Sequence, residues 1–383
     1  MASMNQTSLK IRNQYAIIDA VIRNEQLSRS ALSKELNLSK PTISTNVDKL
    51  IEMGILLEQG FGNTTMGKKP IMLSLNSNYR LVMVVDFNQT IPMMYISDLS
   101  QRIIAQRKIE NVELIRNCVI EFVEDACVSV KSIASIVISM PGFIDEKSYQ
   151  RLVNPQFCQF DSATIKADLS EIFSAPIRVE NDINLAAIGE QHSGFKGSSD
   201  NLLYLSIGLG VGSGLILNGL LYEGSRRAAG EIGYQSVVNF NGDVVQLEKY
   251  ISIPSVVKRF AEKATCENDN WMTAYGITKV EQVDYSILMQ AVKDNDPVAL
   301  EIFKEIAWIL GTVVFNMAVV LDLDYIVLGG EMSRIDYPLL KEIQTQMDSQ
   351  SEFKIRIEAS KLSNACVEGA LHVGVDDVIS TLI

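Results

Sequence analysis

The sequence predicts a mixed α/β body of two similar lobes, preceded by a small and mainly helical head. Three amphipathic segments lie within the first 55 residues, and short β-rich runs alternate with helical segments from residue 80 onward. A strand-turn-strand pattern occurs twice in the body, near Asp86 and near Gly208, which indicates an internal duplication. We therefore expect three domains, at residues 1–75, 76–195 and 196–383, with a ligand cleft between the two lobes of the body.

Composition excludes several classes of protein. The chain has 383 residues and is 47% hydrophobic, which is enough for sizeable cores and argues against disorder. Its apolar runs are shorter than the ~20 residues of a membrane helix, and its start lacks the apolar core of a secretory signal, so we expect a cytoplasmic protein that does not contact the membrane. The five cysteines form no C-x-x-C pair and there are only two histidines, so we expect neither disulfides nor a zinc site.

The charge is unevenly distributed along the chain. The net formal charge is −12, yet residues 1–80 carry 10 Lys and Arg against 6 Asp and Glu, and the remainder carries 24 against 40. A basic head on an acidic body suits a protein whose head contacts phosphates and whose body is repelled by them. The alternative is an ordinary fluctuation in a short segment.

Each of the three amphipathic segments carries its own helix signals. Residues 14–21 place their Ile and Val side chains on one helical face. Ser28 is a suitable N-cap for the second helix. The third helix has Ser39 as its N-cap and Pro41 in its first turn, where a missing N–H costs nothing.

The third helix predicts a surface that reads DNA. Its apolar stripe consists of Ile43, Val47, Leu50 and Ile51. The residues that this leaves facing outward near its N-terminus are Lys40, Thr42, Ser44, Thr45 and Asn46. Short donors and acceptors with one cation are the groups with which a helix in the major groove contacts phosphates and base edges.

A basic hairpin follows the third helix. Residues 55–75 alternate as two strands do, and the region of their turn contains three glycines together with Lys68 and Lys69. Three helices followed by a basic wing are typical of a winged helix-turn-helix domain that binds double-stranded DNA. The alternative is a small helical packing domain whose polar face is merely solvated.

The most distinctive segment of the body is the glycine-rich run at residues 204–234, YLSIGLGVGSGLILNGLLYEGSRRAAGEIGY. By itself the run resembles a cradle for phosphates, because glycines let backbone N–H groups approach an anion closely.

Together with four other segments, this run resembles the ROK family, whose members are repressors, open reading frames and kinases. The matching segments are VVDFNQT with Asp86 and Thr90, MPG at 140–142, VENDINLAAIGE at 179–190, IGLGVGSGL followed by Gly224 and by GEIG at 230–233, and IVLGGEMS at 326–333. The resemblance covers essentially the whole chain, because a winged helix-turn-helix ahead of a ROK body is the repressor branch of the family. It implies a two-lobed, actin-like or ribonuclease-H-like sugar-kinase fold.

The resemblance also implies a sugar site. Asp182 matches the carboxylate that takes the proton from the sugar hydroxyl in the family's kinases, and Asn181 would hold neighbouring hydroxyls. Glu231 and Glu248 match residues that accept hydrogen bonds from sugar hydroxyls. A structural interpretation of Asp182, compatible with the sugar site, is that it caps a helix. The alternative for the two glutamates is that they are surface or helix-cap carboxylates.

Two more positions complete the implied site. Gly142 matches a position at which the sugar approaches the main chain. Tyr234 stands where many members of the family have a histidine that contacts the sugar. Unphosphorylated sugars fit these groups best, because the motifs contain no cluster of cations; Arg226 and Arg227 are the nearest basic pair.

Departures from the family pattern concern ATP and metal. Asn88 and Gln89 replace the glycine-bearing part of the first phosphate loop, and Leu209 replaces a threonine of the second. We therefore expect no bound ATP and no enzyme activity. The positions of the family's zinc ligands are Tyr234, Asn239, Asn241 and Gln246, so we expect no zinc and a loop held by hydrogen bonds and packing.

Together these features predict a transcriptional repressor that responds to an unphosphorylated sugar such as xylose or glucose. It would bind an inverted-repeat operator as a homodimer or homotetramer. Two alternatives stay open. One is an ATP-dependent sugar kinase of the ROK family with a fused head, and the other is a constitutive DNA-binding protein whose sugar site is vestigial.

Overall fold

The computed structural model describes residues 6–24, 26–61, 70–76, 79–88, 91–142, 161–195, 199–267, 271–350 and 352–382. Two compact units make up the chain. The first unit comprises Met1–Met140, Glu146–Glu180 and Ala370–Ile383, and the second comprises Pro141–Asp145 and Asn181–Gly369. These units are built from other segments than the three domains expected from the sequence. Those domains stay a prediction.

The head begins the first unit and combines three helices with a small sheet. The helices are α1 (Gln6–Asn24), α2 (Arg29–Glu35) and α3 (Lys40–Glu52), and the strands are β1 (Leu27–Ser28), β2 (Leu56–Phe61) and β3 (Ile71–Leu75). The strands are antiparallel in the order β1-β3-β2. Ile17, Ile43 and Leu50 are fully buried and join α1 to α3 through a common core. The winged helix-turn-helix arrangement is confirmed.

Local capping explains where two of these helices begin. The Ser28 hydroxyl accepts a hydrogen bond from the Ala31 N–H at 3.2 Å, and the Ser39 hydroxyl accepts one from the Thr42 N–H at 3.3 Å. Pro41 lies in the first turn of α3. Each cap satisfies an N–H that the helix itself leaves without a partner, as the sequence predicts.

Each unit contains one five-stranded sheet. The sheet of the first unit has the order β6-β5-β4-β7-β8 and consists of β4 (Leu81–Asp86), β5 (Met93–Asp98), β6 (Ile103–Lys108), β7 (Ile133–Met140) and β8 (Ile177–Asn181). The sheet of the second unit has the order β11-β10-β9-β14-β15 and consists of β9 (Leu202–Ile207), β10 (Val211–Leu217), β11 (Leu220–Leu221), β14 (Tyr325–Gly329) and β15 (Arg356–Ala359).

The two sheets share one topology. In each, three strands form an antiparallel meander, and the first of these strands also pairs in parallel with the fourth. The same order, third-second-first-fourth-fifth, is generated twice along the chain. The internal duplication expected from the sequence is therefore confirmed at the level of topology.

Helices and one further hairpin complete the fold. The hairpin consists of β12 (Ser236–Val238) and β13 (Val244–Gln246). The helices are α4 (Ile115–Asp125), α5 (Ser162–Ile172), α6 (Asp182–Gly189), α7 (Leu247–Ile251), α8 (Ile253–Glu267), α9 (Trp271–Ala274), α10 (Tyr285–Lys293), α11 (Pro297–Leu321), α12 (Leu339–Asp348) and α13 (Ala365–Leu382). Within the described part of the chain, none of the helices is both long and apolar enough to cross a membrane.

The core of the second unit lies between its sheet and helices α8, α11 and α12. Phe260 and Phe303 are fully buried there, and Leu310 on α11 is buried with them. The long helix α11 is apolar on most of its circumference, which is typical of a helix surrounded by other elements. This core supports β9 and β10, the strands next to the candidate site.

Candidate functional site

The first wall of the candidate sugar site is the beginning of α6. The Asn181 side chain caps this helix, because its Oδ1 accepts hydrogen bonds from the Ile183 and Asn184 N–H groups, both at 2.9 Å. Its Nδ2 donates to the Gly142 carbonyl at 2.9 Å. The interpretation that Asp182 is the cap is wrong: Asp182 is the first residue of α6, with 6% of its surface exposed. Asn181 thus holds the Gly142 backbone and the start of α6, where the Asp182 carboxylate lies.

Glycines of β10 allow α6 to lie close to the sheet. A Cβ atom at Gly212 would lie 2.4 Å from Ile183 Cδ1, and one at Gly214 would lie 2.5 Å from the Ala187 Cβ and 2.9 Å from the Ile183 carbonyl oxygen. Real carbon atoms do not approach so closely. These two glycines of the run therefore serve helix-sheet packing, rather than the phosphate contact that the run suggests by itself.

The second wall is the segment around Glu231. Gly230 has φ of +87°, and a Cβ there would lie 2.1 Å from the Ser213 carbonyl oxygen. A Cβ at Gly233 would lie 2.4 Å from the Val211 carbonyl oxygen. Only glycine allows so close an approach, so the GEIG motif holds Glu231 directly against β10.

Glu248 lies in the first turn of α7 and belongs to the same wall. Its Oε2 accepts a hydrogen bond from the Val211 N–H at 3.0 Å. Ile183 contacts Gly212, the next residue of β10. The beginning of α6 and the Glu248 side chain thus flank adjacent residues, Gly212 and Val211, at one end of β10.

Burial and neighbouring carboxylates raise the pKa values of two acidic groups of this wall, Glu231 and Tyr234. Burial raises the pKa of Glu231, and the neighbouring Glu248 carboxylate raises it further. The pKa of Tyr234 is also raised, by burial first and then by Glu231 and Glu248, although 58% of its surface is exposed. Glu231, Tyr234 and Glu248 therefore lie together. Two carboxylates and a phenol can accept and donate hydrogen bonds to several hydroxyl groups, and their negative charge disfavours an anionic ligand.

Substituting Glu231 should change how the folding stability depends on pH. Its pKa in the folded protein lies above the ordinary 4.5, so the stability linked to its neutral form is fully present below 4.5 and is lost as the pH rises through the raised value. We expect Glu231→Gln to raise the melting temperature at pH 7, with a gain that shrinks as the pH falls towards 4.5. Thermal unfolding measured between pH 4 and 8 checks this.

Asp284 provides a control of opposite sign. Hydrogen bonds from Ser286 and from the Ile287 N–H lower the pKa of Asp284. Its contribution to stability is therefore present above the ordinary pKa and lost as the pH falls, so Asp284→Asn should destabilise the protein most at neutral pH. A melting-temperature difference for Glu231→Gln that stays constant with pH would contradict the placement of Glu231 beside Glu248.

The resemblance associates two loops with ATP, and the first of them follows β4. In the first unit, Asp86 is fully buried, and its Oδ1 accepts hydrogen bonds from the Ser139 hydroxyl at 2.9 Å and the Asn88 N–H at 3.0 Å. Asn88 is exposed, and Gln89 lies outside the described residues. Asp86 therefore has a structural role at the end of β4.

The second loop is the turn at residues 208–210. The Gly208 N–H donates to the Gly210 carbonyl at 2.9 Å, and 63% of the Leu209 surface is exposed. A Cβ atom at Gly208 would lie 2.1 Å from Oε2 of Glu331, so this carboxylate is packed directly on the turn. Glu331 was not among the expected site residues, although it directly follows Gly329 and Gly330 in the block that resembles the family.

The residues expected to read DNA are partly exposed and partly engaged within the head. Lys40 and Thr45 are exposed on α3. The Thr42 hydroxyl shares a hydrogen bond of 2.7 Å with that of Ser39, and the Ser44 hydroxyl accepts one from Arg29 at 3.1 Å. These contacts orient the beginning of α3 and leave Lys40 and Thr45 as its most accessible polar side chains among the expected set.

One residue of that set does not face outward. The Asn46 side chain is buried, with 5% of its surface exposed, and its Nδ2 donates to the Thr42 carbonyl at 2.8 Å. Asn46 lies next to Leu50 on the helical wheel, at the edge of the apolar stripe, and is close enough to it to turn inward. The expectation that Asn46 is an outward reader is wrong. Lys68 and Lys69, the expected wing contacts, lie outside the described residues.

One residue that was not expected to have a role, Arg29, holds the head together. Arg29 at the start of α2 pairs with Asp48 on α3 at 2.6 Å and with Glu58 on β2 at 2.9 Å. Burial lowers the pKa of the Arg29 guanidinium, but the two carboxylates raise it by more, so the pKa is raised overall. Arg29 thus links both helices of the helix-turn-helix to the wing, a role that no local pattern in the sequence indicated.

Comparison with known proteins places these features in a family. The profile of the ROK family matches residues 82–374, and that of a winged helix-turn-helix DNA-binding domain matches residues 12–56. The xylose repressor of Caldicellulosiruptor bescii is 26% identical over 399 residues, which cover 98% of each chain.

Two solved structures share the fold. A ROK family transcriptional regulator, described as a homologue of the E. coli MLC protein, superposes with a TM-score of 0.76 at 19% identity and covers 97% of this chain and 99% of its own. A ROK family glucokinase from Streptomyces griseus, solved with glucose and AMPPNP, gives a TM-score of 0.61 at 24% identity over 77% of this chain and 99% of its own. The family match spans most of the chain and the fold agrees with it, so this protein belongs to the ROK family.

Proposed function

We propose that this protein is a transcriptional repressor whose DNA binding is controlled by an unphosphorylated sugar. The observation that carries the proposal is the combination of a winged helix-turn-helix, with Lys40 and Thr45 exposed on α3, and a ROK body with Asp182, Glu231 and Glu248 around one end of β10. The relatives named xylose repressors support xylose or a related aldose as the effector.

The acidic wall supports a neutral sugar rather than a sugar phosphate. Glu231 and Glu248 raise the energy of any further negative charge nearby. Arg226 and Arg227 are the cations closest to Glu231 along the chain, and Arg227 pairs with Glu223. A site whose polar groups would otherwise be left without partners discriminates strongly for hydroxyl groups in the matching positions.

Operator binding would use two or four copies of the chain. Winged helix-turn-helix proteins read half-sites that lie about one or two DNA turns apart, and this spacing follows the twofold symmetry of the protein. A sugar can control such binding only if it has different affinities for the DNA-binding and non-binding states.

The experiment that tests this function is an anisotropy titration. A duplex enriched from a random pool is titrated with the protein at fixed salt, and then with xylose, glucose, other aldoses and their phosphates. We expect one unphosphorylated aldose to release the duplex. A duplex whose binding no sugar alters would favour a constitutive DNA-binding protein, and failure to enrich any duplex would reject the repressor function.

A matched variant separates the two halves of the proposal. Replacing both Lys40 and Thr45 by alanine should abolish duplex binding, because these exposed side chains are available to contact phosphates and base edges. The same variant should keep the rise in melting temperature that the effector produces, since a ligand stabilises the folded state to which it binds.

Glu331 supports a sensor over a kinase. Its carboxylate lies on the 208–210 turn, where the phosphates of a nucleotide would have to approach the glycine backbone. Two like charges about 4 Å apart repel by roughly 1 kcal/mol in water and by about 4 kcal/mol near a protein surface. A nucleotide would therefore meet repulsion where a kinase provides attraction.

Replacing Glu331 should make nucleotide binding measurable. We expect the wild-type protein to show no binding of a fluorescent ATP analogue with Mg²⁺, and Glu331→Gly to bind it at least about tenfold more tightly, because the repulsion is removed. Glu331→Gln, which keeps the size and loses the charge, should recover most of this gain. Wild-type binding of the analogue together with transfer of phosphate to a sugar would instead establish the kinase.

A further inference from the structure

The position at which the family holds zinc has no residues that fit the metal here. Structural zinc is held by four thiolate or imidazole ligands. The corresponding residues are Tyr234, Asn239, Asn241 and Gln246. The described residues include no group of three or more His, Cys, Asp or Glu side chains arranged to bind a metal. Some other interaction must hold the β12–β13 hairpin and the α7 helix that follows it.

Asn239 organises the tip of the hairpin. Its Oδ1 accepts hydrogen bonds from the Asn241 N–H at 3.0 Å and the Asp243 N–H at 2.8 Å, so this oxygen already has two donors. The Asn239 N–H donates to the Asp243 carbonyl at 3.0 Å, and Gly242 adopts φ of +86° to close the turn. Asn239, the residue at one of the zinc positions, thus closes the loop through hydrogen bonds within the hairpin.

Glu305 on α11 anchors the same hairpin to the core. It is buried, with 7% of its surface exposed, and its Oε1 accepts hydrogen bonds from the Phe240 N–H at 2.8 Å and the Tyr250 hydroxyl at 2.9 Å. Its Oε2 accepts a hydrogen bond from Arg259 on α8. Both carboxylate oxygens therefore have partners, which a buried charge requires.

Arg259 completes the anchor. Its guanidinium lies 3.6 Å from the centre of the Tyr250 ring and donates to the Tyr250 carbonyl at 3.1 Å. Burial and the Glu305 carboxylate, opposed by the charge of Arg259, raise the pKa of Tyr250 to about 12, so its hydroxyl retains the proton that it donates to Glu305. Glu305, Arg259 and Tyr250 therefore form one hydrogen-bonded cluster, which we call the Glu305 cluster, joining α8 and α11 to the hairpin and to α7.

This cluster reaches the candidate sugar site through α7. Tyr250 lies two residues after Glu248 on the five-residue helix α7, and Glu248 binds the Val211 N–H of β10. We propose that the Glu305 cluster takes the place of zinc in this protein: Glu305 and Arg259 are positioning residues that hold α7, and with it Glu248, in the geometry that binds the sugar. The proposal rests on the proposed function for its sugar readout.

Two measurements on the full chain test the proposal. The first is the sugar concentration that gives half-maximal release of the operator, and the second is hydrogen exchange of peptides covering residues 236–251. Residues that orient metal-binding side chains typically contribute about ten- to hundredfold in affinity or activity, and we expect an effect of similar size here: Glu305→Ala should raise the half-maximal sugar concentration at least about tenfold. Operator affinity without sugar should stay the same, and exchange of the hairpin should accelerate.

Matched variants separate positioning from general damage. Glu305→Gln keeps the acceptor for the Phe240 and Tyr250 donors and should recover part of the sugar response. Glu301→Ala removes an exposed carboxylate one turn earlier on α11, which pairs only with Lys263 among the described salt bridges, and should change neither readout. If Glu305→Ala does not fold, Tyr250→Phe, which removes only the hydroxyl link, must show a smaller rise of the same kind.

The metal arm uses zinc itself. We expect purified protein to contain no stoichiometric zinc, and neither EDTA nor added Zn²⁺ to change the sugar response or the hairpin exchange. Stoichiometric zinc whose removal abolishes the response would overturn the proposal, as would an unchanged half-maximal concentration in Glu305→Ala. If the wild-type protein shows no sugar response at all, the proposed function fails, and hydrogen exchange alone then decides whether the Glu305 cluster holds the hairpin.

Discussion

Gly369→Val should unfold the second unit at a urea concentration well below the midpoint of the wild type. A Cβ atom at Gly369, on α13, would lie 1.8 Å from the Leu185 carbonyl oxygen of α6. The reciprocal contact is as close, since a Cβ at Gly189 would lie 2.1 Å from the Ala365 carbonyl oxygen. The obstructing atoms belong to the backbone, so no rotamer change relieves the overlap, and α6 and α13 would have to move apart.

The cost should exceed that of ordinary overpacking. Extra carbon atoms in a packed core typically cost about 1–3 kcal/mol, and a backbone clash belongs at or above the upper end of that range. Domains are stable by only about 5–15 kcal/mol, so the loss is a large part of the total. Both tryptophans of the chain, Trp271 and Trp308, lie in the second unit, so their fluorescence during urea unfolding reports on this unit directly.

A glycine in open space provides the control. A Cβ at Gly242 would have no heavy atom within 4 Å, and its only cost is its φ of +86°. Gly242→Ala should therefore lose about 1–2 kcal/mol, the usual strain of a left-handed backbone in a residue with a Cβ. An unfolding midpoint for Gly369→Val equal to that of the wild type would show that α6 and α13 do not pack backbone to backbone.

Asp182→Ala should abolish the response to sugar while leaving operator binding intact. Asp182 is a nearly buried carboxylate at the first position of α6, held in place by the Asn181 cap next to it. A hydrogen bond to a charged group contributes about 1.5–3 kcal/mol. Losing two such bonds to sugar hydroxyls corresponds to a rise of about 100-fold or more in the half-maximal sugar concentration.

The same substitution also removes a negative charge from a helix N-terminus, which costs about 0.3–1 kcal/mol of stability. Asp284→Ala controls for this, because Asp284 caps α10 through the Ile287 N–H and lies in the same unit. It should lower stability by about 1 kcal/mol without altering the sugar response. A normal response in Asp182→Ala would place the sugar elsewhere and remove α6 from the site.

Local signals predicted the helices of the head and the duplicated α/β character of the body. Ser28 and Ser39 cap α2 and α3 as expected, because a cap needs only a side-chain oxygen and N–H groups two or three residues ahead. The β-rich runs became strands of the two five-stranded sheets, and the repeated strand-turn-strand pattern became two sheets of one topology. The resemblance to the ROK family was confirmed by the match over residues 82–374.

Local signals failed where a side chain's role depends on a distant neighbour. The glycine run suggested phosphate contact, yet Gly212 and Gly214 make room for α6. Local sequence could not show this, because α6 lies about 25 to 30 residues earlier in the chain. Asn46 was expected outside but is buried, since a residue next to the apolar stripe can turn to either side. The site residues themselves stay predictions, to be decided by the experiments above.

The amino-acid sequence alone determined where most helices and strands lie and to which family the motifs are similar. These properties depend on residues within one or two turns of each other, so the order of side chains specifies them. Tertiary packing decided that Glu331 lies on the 208–210 turn and that Glu305 anchors a hairpin more than 60 residues earlier. A buried carboxylate acquires its role from the donors that the fold brings to it, and those donors come from distant parts of the chain.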